Sequence, residues 1–288
     1  MRGDQVNTLV LLNNSDKPLL LLAGEVVTGG KQDRVIAKDR IVPPGADPID
    51  LGVFCIEPGR WTESSAKFGA SGVAPGASFM VQPSVRKEAM VAKNQQEVWN
   101  SVRGSISEMS LAAAPSGTSP ASAERLSTTS YAKAMQDGRV RDKVDDAAAP
   151  MMKSREQVLA KLKQEQAVGV VVAVRGELVW ADIFADTDLL AKYWTKLVRS
   201  YAAESLTSGE EHSMPTIAEA QRFLDAPTAG SETSEGDVGV YRYTEFASGG
   251  MSTFVLRSLM KDANYEVHIS RVKLKASDHK RPGFVRID

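Results

Sequence analysis

The residues best suited to chemistry are polar side chains gathered in one segment near the N-terminus, between positions 25 and 61. The set contains three acids, one amide, three cations and one tryptophan: Glu25, Lys31, Gln32, Asp33, Arg34, Glu57, Arg60 and Trp61. Carboxylates can serve as general acids or bases, and arginine or lysine can hold a phosphate or a carboxylate. Gly29 and Gly30 precede the run and would let a ligand approach the backbone closely. We therefore take this set as the candidate ligand-binding site, with no residue assigned a catalytic role.

Two structural interpretations compete with a ligand site. The run could be the end of a hairpin in water, where exposed pairs such as Asp33 with Arg34 contribute only about 0–1 kcal/mol. It could also be a structural clasp. Glu25 follows an apolar run at 19–23, so it is expected to be buried, and a buried carboxylate requires a partner. Arg34 and Arg60 are the predicted partners, because a guanidinium binds a carboxylate through two hydrogen bonds.

Cysteine and histidine usage restricts the remaining chemistry. The single cysteine, Cys55, excludes an intrachain disulfide and a multi-cysteine zinc site. The alternation of apolar residues at 49–57 places Cys55 in a strand, so we predict a buried structural thiol. A reactive thiol would need a nearby cation or a helix N-terminus. The histidines, His212, His268 and His279, lack the spacing of metal ligands, and no metal site is predicted.

Composition limits the class of protein. The chain has 288 residues, a formal net charge of −1, 42% hydrophobic residues and 25% charged residues, as in soluble globular proteins. This balance argues against a nucleic-acid binder that works through a strongly basic domain. No apolar run approaches the ~18 residues that a membrane span needs. No signal peptide is recognised, which gives a cytoplasmic location by default, although the abrupt start predicts missing upstream sequence.

The first half of the chain predicts strands followed by a helix. Short strands are predicted at 6–12, 19–23, 32–37 and 49–57. The run at 19–23 is apolar at every position, which favours a central strand buried on both faces. Residues 64–82, rich in Gly, Ser and Ala, predict an irregular loop, and an apolar stripe predicts a helix at 84–110. The low-complexity stretch at 112–130 predicts a mobile insertion.

The second half predicts further helices and a group of C-terminal strands. Helices are predicted at 131–136, 154–166 and 189–206, and strands at 168–174, 177–184, 238–246, 253–259 and 265–274. A capping box of Thr216 with Glu219 begins another helix, and the acidic residues 230–237 predict a flexible connector. The fold class is therefore predicted as α+β. We expect a predominantly antiparallel sheet built from N-terminal, middle and C-terminal strands, with packed helices, in a single domain spanning 1–288.

Several runs resemble one bacterial protein family. They are AGEVVTGGKQDR at 23–34, DRIVP at 39–43, CIEPGRW at 55–61, and the segment 182–201. They resemble the ARG and rhodanese-phosphatase-superfamily-associated domain family, and the resemblance covers most of the chain apart from 112–150. The family name records genome neighbours, among them ADP-ribosylglycohydrolases, which implies a link to NAD or ADP-ribose metabolism. The resemblance assigns no catalytic residue and does not indicate whether a cofactor is bound.

Two functions of different classes follow. The first is a domain that binds or processes a nucleotide-like or ADP-ribose-related ligand, so its partner would be a small-molecule phosphate or nucleotide. The second is a non-catalytic β-rich interaction or structural module. A concave pocket lined by Glu25, Gln32, Arg34, Glu57 and Arg60 would favour the first function. Neither nucleic acid nor a membrane is a predicted partner, and the sequence leaves enzyme activity, cofactor and oligomeric state open.

Overall fold

In the computed structural model, strands lie towards both ends of the chain and helices lie mainly in its middle. The structure describes residues 8–59, 65–70, 79–119, 121–153, 155–207, 209–228 and 230–274. The strands are β1 (Thr8–Leu11), β2 (Leu19–Leu21), β3 (Val26–Gly30), β4 (Arg34–Ile36), β5 (Arg40–Val42), β6 (Ile49–Cys55), β7 (Ser65–Ala70), β8 (Gly169–Val174), β9 (Glu177–Phe184), β10 (Ser231–Asp237), β11 (Tyr241–Ser248), β12 (Met251–Ser258) and β13 (Glu266–Lys273). The helices are α1 (Pro83–Lys87), α2 (Gln95–Ala112), α3 (Tyr131–Gln136), α4 (Gly138–Lys153), α5 (Arg155–Gln164), α6 (Thr187–Ser205) and α7 (Ile217–Asp225). The predicted α+β class is confirmed.

The described strands form three antiparallel sheets. One sheet has five strands in the order β1-β6-β4-β3-β7, a second contains only β2 and β5, and the third has six strands in the order β10-β11-β12-β13-β9-β8. The middle hairpin β8–β9 joins the C-terminal strands, because β9 pairs with β13. The N-terminal strands keep their own sheets and meet the large sheet through side chains.

Two N-terminal segments differ from their predictions. Residues 19–23 are not a central strand, since only Leu19–Leu21 is extended and the strand it pairs with, β5, completes a two-stranded sheet. The apolar run packs instead against the core beside helix α6, where the Tyr193 hydroxyl donates to the Leu20 carbonyl at 3.0 Å. The loop predicted at 64–82 is wrong where it contains β7, which pairs with β3. Small residues can join a ladder because pairing uses backbone groups.

The helix predicted at 84–110 is two helices. Helix α1 continues into a π-helical turn at Glu88–Ala92, and Lys93 then adopts a φ of +51°, which ends the helical path. Asn94 begins α2 by accepting hydrogen bonds from the backbone N–H groups of Gln96 and Glu97. The predicted apolar stripe is confirmed on α2, where its buried members include Val98, Val102, Ile106 and Met109.

The acidic segment at 230–237 is a strand rather than a flexible connector. Residues Ser231–Asp237 form β10, which pairs with β11 along its whole length although six of its seven residues are exposed. The prediction was wrong because composition indicates only whether side chains will be buried, whereas an edge strand is stabilised by backbone hydrogen bonds to its neighbour.

The core draws on both halves of the chain. One continuous cluster of buried apolar side chains contains Val26 from β3, Ile56 directly after β6, Trp194 from α6, and Phe254 and Leu256 from β12. The predicted alternation of β6 is confirmed, since Leu51, Val53 and Cys55 are buried. The single-domain organisation stays a prediction. None of the helices in the described part of the chain has the length and apolar character to cross a membrane.

The predicted insertion at 112–130 lacks regular structure after its first residue, Ala112, where it is described. Helix α2 ends at Ala112, and α3 begins at Tyr131. The segment between them is attached at Leu126, which packs against the core and donates its N–H to the Ser110 hydroxyl at 3.2 Å. The mobility of this segment stays a prediction.

Candidate functional site

Four of the candidate residues come together at the β3–β4 turn and the end of β6. These are Gln32, Asp33, Arg34 and Glu57, the N-terminal polar cluster, and all four are buried. Antiparallel pairing of Arg34 with Cys55 brings Glu57 opposite the turn. The Gln32 amide donates to the Glu57 carbonyl at 3.1 Å, and the Asp33 backbone N–H donates to the Glu57 carboxylate at 3.3 Å.

The same cluster connects the sheet to helix α3. The Arg34 guanidinium folds back and donates to the carbonyl of Gln32 at 2.9 Å. The Asp33 carboxylate accepts a hydrogen bond of 2.9 Å from the hydroxyl of Ser130. Ser130 is fully buried and caps α3 by accepting the N–H of Lys133. The contacts of the cluster are therefore mainly structural.

Of the remaining candidate residues, Glu25 makes its described contacts elsewhere. Glu25 is buried as predicted, but the described partner of its carboxylate is Lys196 of α6 rather than Arg34, and the carboxylate also accepts the Leu22 N–H. For Arg34 the prediction was wrong because a lysine from a distant helix reaches the carboxylate, whereas the pairing with Arg60 stays a prediction. Lys31 is exposed. Arg60 and Trp61 lie outside the described residues.

Cys55 is buried and structural in its surroundings, as predicted. Its backbone N–H and carbonyl both bond to the Gln95 carboxamide, each at 2.8 Å, so a side chain acts as a strand partner at the end of β6. Burial raises the pKa of the Cys55 thiol. A raised pKa reduces the fraction of thiolate, which is the nucleophilic form.

We expect Cys55 to react with a thiol reagent only slowly in the native protein and rapidly in urea, because burial blocks access and disfavours the thiolate. Absorbance of the released thiolate measures the rate. A Val238→Cys variant supplies an exposed thiol for comparison, since Val238 is fully exposed. Native labelling of Cys55 as fast as that of Val238→Cys would contradict the assignment.

Sequence reasoning missed a second polar group, which lies at the centre of the molecule. It is the buried charge network, which consists of Asp39, Arg86, Asp182, His268, Ser270 and Tyr201. His268 on β13 contacts two carboxylates: its Nδ1 lies 2.6 Å from Asp39 and its Nε2 lies 3.1 Å from Asp182. The second carboxylate oxygen of Asp39 accepts the N–H of Ala23 at 2.7 Å.

Asp182 is the residue with the most partners in this network. Arg86 of α1 donates to it at 2.8 Å, Ser270 donates at 2.9 Å, and the Tyr201 hydroxyl of α6 also donates. The guanidinium of Arg86 lies over the ring of Trp180, 4.5 Å from the ring centroid. The stem of Arg86 packs on Gly24, where an added Cβ would lie 2.9 Å from Cδ.

The electrostatics of the network fit fixed charges rather than proton transfer. Burial alone would lower the pKa of His268, but the carboxylates of Asp39 and Asp182 outweigh it and raise the pKa to about 9. Burial likewise opposes ionisation of Asp182, but Arg86 and His268 hold its pKa far below the usual range. Two cations thus balance two carboxylates. With both ring nitrogens facing carboxylates, His268 is a fixed cation and a poor general base.

A sequence signal for the network exists but is weak. Asp182 lies two residues from both Trp180 and Phe184, so the alternation of β9 places a carboxylate on a buried face. A buried carboxylate requires partners, but nothing in the local pattern says which residues supply them. In the part of the chain that the structure describes, no three His, Cys, Asp or Glu side chains are grouped to hold a metal ion.

The third feature is an apolar cleft of about 490 Å³ beside strand β8, which we name the β8 cleft. Residues 170–174 of β8, Trp194 and Tyr201 of α6, and the segment around Met214 and Ile217 form its walls. No charged side chain is among the described residues that line it. None of the candidate residues from the sequence lies there.

The comparisons identify the family but offer no relative with an assigned activity. The family model for the ARG and Rhodanese-Phosphatase-superfamily-associated Protein domain matches residues 1–272, including the part at 112–150 that the quoted motifs left out. Comparison with curated proteins and with solved structures finds no significant match. The chain belongs to the ARG and rhodanese-phosphatase-superfamily-associated protein domain family.

Proposed function

We propose that this chain is a non-catalytic, β-rich interaction module whose binding surface is the β8 cleft. The observation that carries the proposal is the rim of the cleft. Ile217 is 90% exposed, Met214 is 76% exposed and Met151 is 37% exposed, and all three line the same cleft. Single exposed apolar residues are normal, but several around one concave apolar surface mark a binding site.

The polar residues of the chain support this choice over a ligand pocket at the N-terminal polar cluster. Gln32 has no exposed surface, and Arg34 is buried beside it. The Gln32 amide and the Nη1 of Arg34 donate to protein carbonyls, as in a structural clasp, whereas an anion pocket would turn donors towards solvent. Binding or processing of a nucleotide-like or ADP-ribose-related ligand stays a prediction that rests on the family resemblance.

We expect a double variant of the rim, Met214→Lys with Ile217→Lys, to lose partner binding without losing stability. The probe is a random-peptide library displayed on phage and selected on the immobilised chain. Enriched peptides should be poor in charged residues, because the described wall of the cleft carries none. Their dissociation constants, measured by fluorescence anisotropy, should rise about tenfold or more in the rim variant, a loss of about 1.4 kcal/mol or more.

The matched control is Val238→Lys, which changes an equally exposed apolar residue in the turn between β10 and β11. It should bind the peptides like the original chain. Either of two outcomes would overturn the proposal. One is a selection that enriches no sequence over an unrelated immobilised protein, and the other is a set of peptides that bind the rim variant undiminished.

A further inference from the structure

We infer, resting on the function proposed above, that the occupant of the β8 cleft is an extended, uncharged segment of a partner protein that adds to β8 as a seventh strand. Strand β8 is the last strand of the six-stranded sheet, and no described strand pairs with its outer edge. Strand addition of this kind uses main-chain hydrogen bonds for affinity and alternate side chains for specificity.

The register shows which backbone groups of β8 face outward. Phe184 donates its N–H to the carbonyl of Val168, so every second residue from there, Val170 and Val172, forms a hydrogen-bonded pair with β9. The residues between them, Gly169 and Val171, therefore point their N–H and carbonyl groups away from β9 and towards the cleft. An extended segment would satisfy these groups.

The two edge strands of the large sheet differ in the charge of their side chains. The β10 edge carries Glu232, Glu235 and Asp237, and such charges keep other strands from pairing. The β8 edge reads Gly-Val-Val-Val-Ala-Val and carries neither a charge nor a proline. Of these two edges, the β8 edge is the one with the apolar side chains and outward backbone groups that an added strand requires.

The cleft surrounds the edge of β8 rather than one of its faces. Val170 and Val172 share the face of their buried partners Asp182 and Trp180, which is the face towards α6. Val171 lies on the opposite face, yet all three valines line the cleft. Arg271 projects from that opposite face, where it donates to Ala226 directly after α7.

The shape and charge of the cleft decide between occupants. Elements on both faces flank the edge, so a single extended segment fits between them. A second copy of the chain would bring its own α6 and α7 against the same walls. The absence of charge among the described lining residues fits a segment without charged side chains.

The test uses a peptide selected on the chain and its backbone N-methylated derivatives. N-methylation removes one N–H at a time and leaves the side chains unchanged. Affinity should fall about fivefold or more at every second peptide position, where the N–H faces β8, and should be retained at the positions between. A loss that follows side-chain position without this alternation would overturn strand addition.

A variant of the chain gives the reciprocal measurement. Val171→Pro removes an outward N–H and keeps the bonds to β9, because proline is tolerated at the outer side of an edge strand. It should weaken the peptide about fivefold or more, whereas Val171→Thr should not. Urea unfolding checks that both variants fold like the original chain.

The remaining outcomes separate the two proposals. The rim variant of Met214 and Ile217 distinguishes the two proposals. Weaker peptide binding in that variant, together with unchanged binding after Val171→Pro and after N-methylation, would support the interaction module and overturn strand addition. A free chain that sedimentation shows to be a dimer, and that Val171→Pro makes monomeric, would assign the edge to a second copy and overturn the partner segment. Failure to select any peptide would count against the interaction module itself.

Discussion

Asp182→Asn should lower the free energy of unfolding by about 3–5 kcal/mol, because it removes one partner from a buried set of paired charges. Asp182 accepts hydrogen bonds from Arg86, Ser270 and Tyr201 and contacts His268, all of them buried. The amide keeps the volume but removes the charge, so Arg86 and His268 would share the single carboxylate of Asp39. Urea unfolding followed by circular dichroism measures the loss.

Asp188→Asn is the matched control. Asp188 pairs with Lys163, but its side chain is 75% exposed, so the change should stay within about 0.5 kcal/mol. Adding His268→Gln to Asp182→Asn should be less damaging than the sum of the two single changes, because one cation and one carboxylate remain. A loss below about 1 kcal/mol for Asp182→Asn would show that the network contributes little beyond packing.

The second large effect is a loss of stability in mildly alkaline solution. The folded protein holds the proton of His268 with a pKa of about 9, against an ordinary value of 6.5. A raised pKa in the folded state adds stability that is fully present below about pH 6.5 and is lost as the pH rises to about 9. At about 1.4 kcal/mol for each pKa unit, the free energy of unfolding should fall by about 3 kcal/mol across this window.

Urea unfolding at a series of pH values measures this fall. His268→Gln should remove the dependence on pH in the window, although it lowers stability at every pH. If that variant is too unstable to study, nuclear magnetic resonance of the His268 imidazole gives the folded-state pKa directly. A titration near pH 6.5 would contradict the arrangement of His268 between two carboxylates.

The sequence predicts those elements that are determined locally. Alternation at 49–57 identifies β6 and the burial of Cys55, and the pair Thr216 and Glu219 identifies the capping box that begins α7. Both features depend on neighbours a few residues apart. Helix α4 and strand β10 were not predicted. Strand β10 is too polar to show an apolar period, whereas α4 carries a short one that was overlooked, since Val140, Val144 and Ala148 are buried at intervals of four.

The candidate site could be predicted only in part for the same reason. Burial of Glu25 follows from the apolar run before it, but the identity of Lys196 as its partner depends on how α6 packs. Likewise, a buried carboxylate in β9 is visible in the sequence, whereas Asp39 and Arg86 meet it only in three dimensions. The β8 cleft has no sequence motif because the position of a strand at the edge of a sheet is a property of the finished sheet.

The long separation of Asp39 and His268 has a consequence during synthesis on the ribosome. The two residues lie 229 positions apart, so at ordinary elongation rates roughly 10–50 s pass between their appearances. Asp182, the partner of Arg86, is also synthesised later, since it follows 96 residues further along the chain. A nascent chain therefore keeps the carboxylate of Asp39 hydrated, and its N-terminal sheets cannot dock in their final position until β13 has left the exit tunnel. Completion of the fold is in this way coupled to the emergence of β13, the last of the described strands.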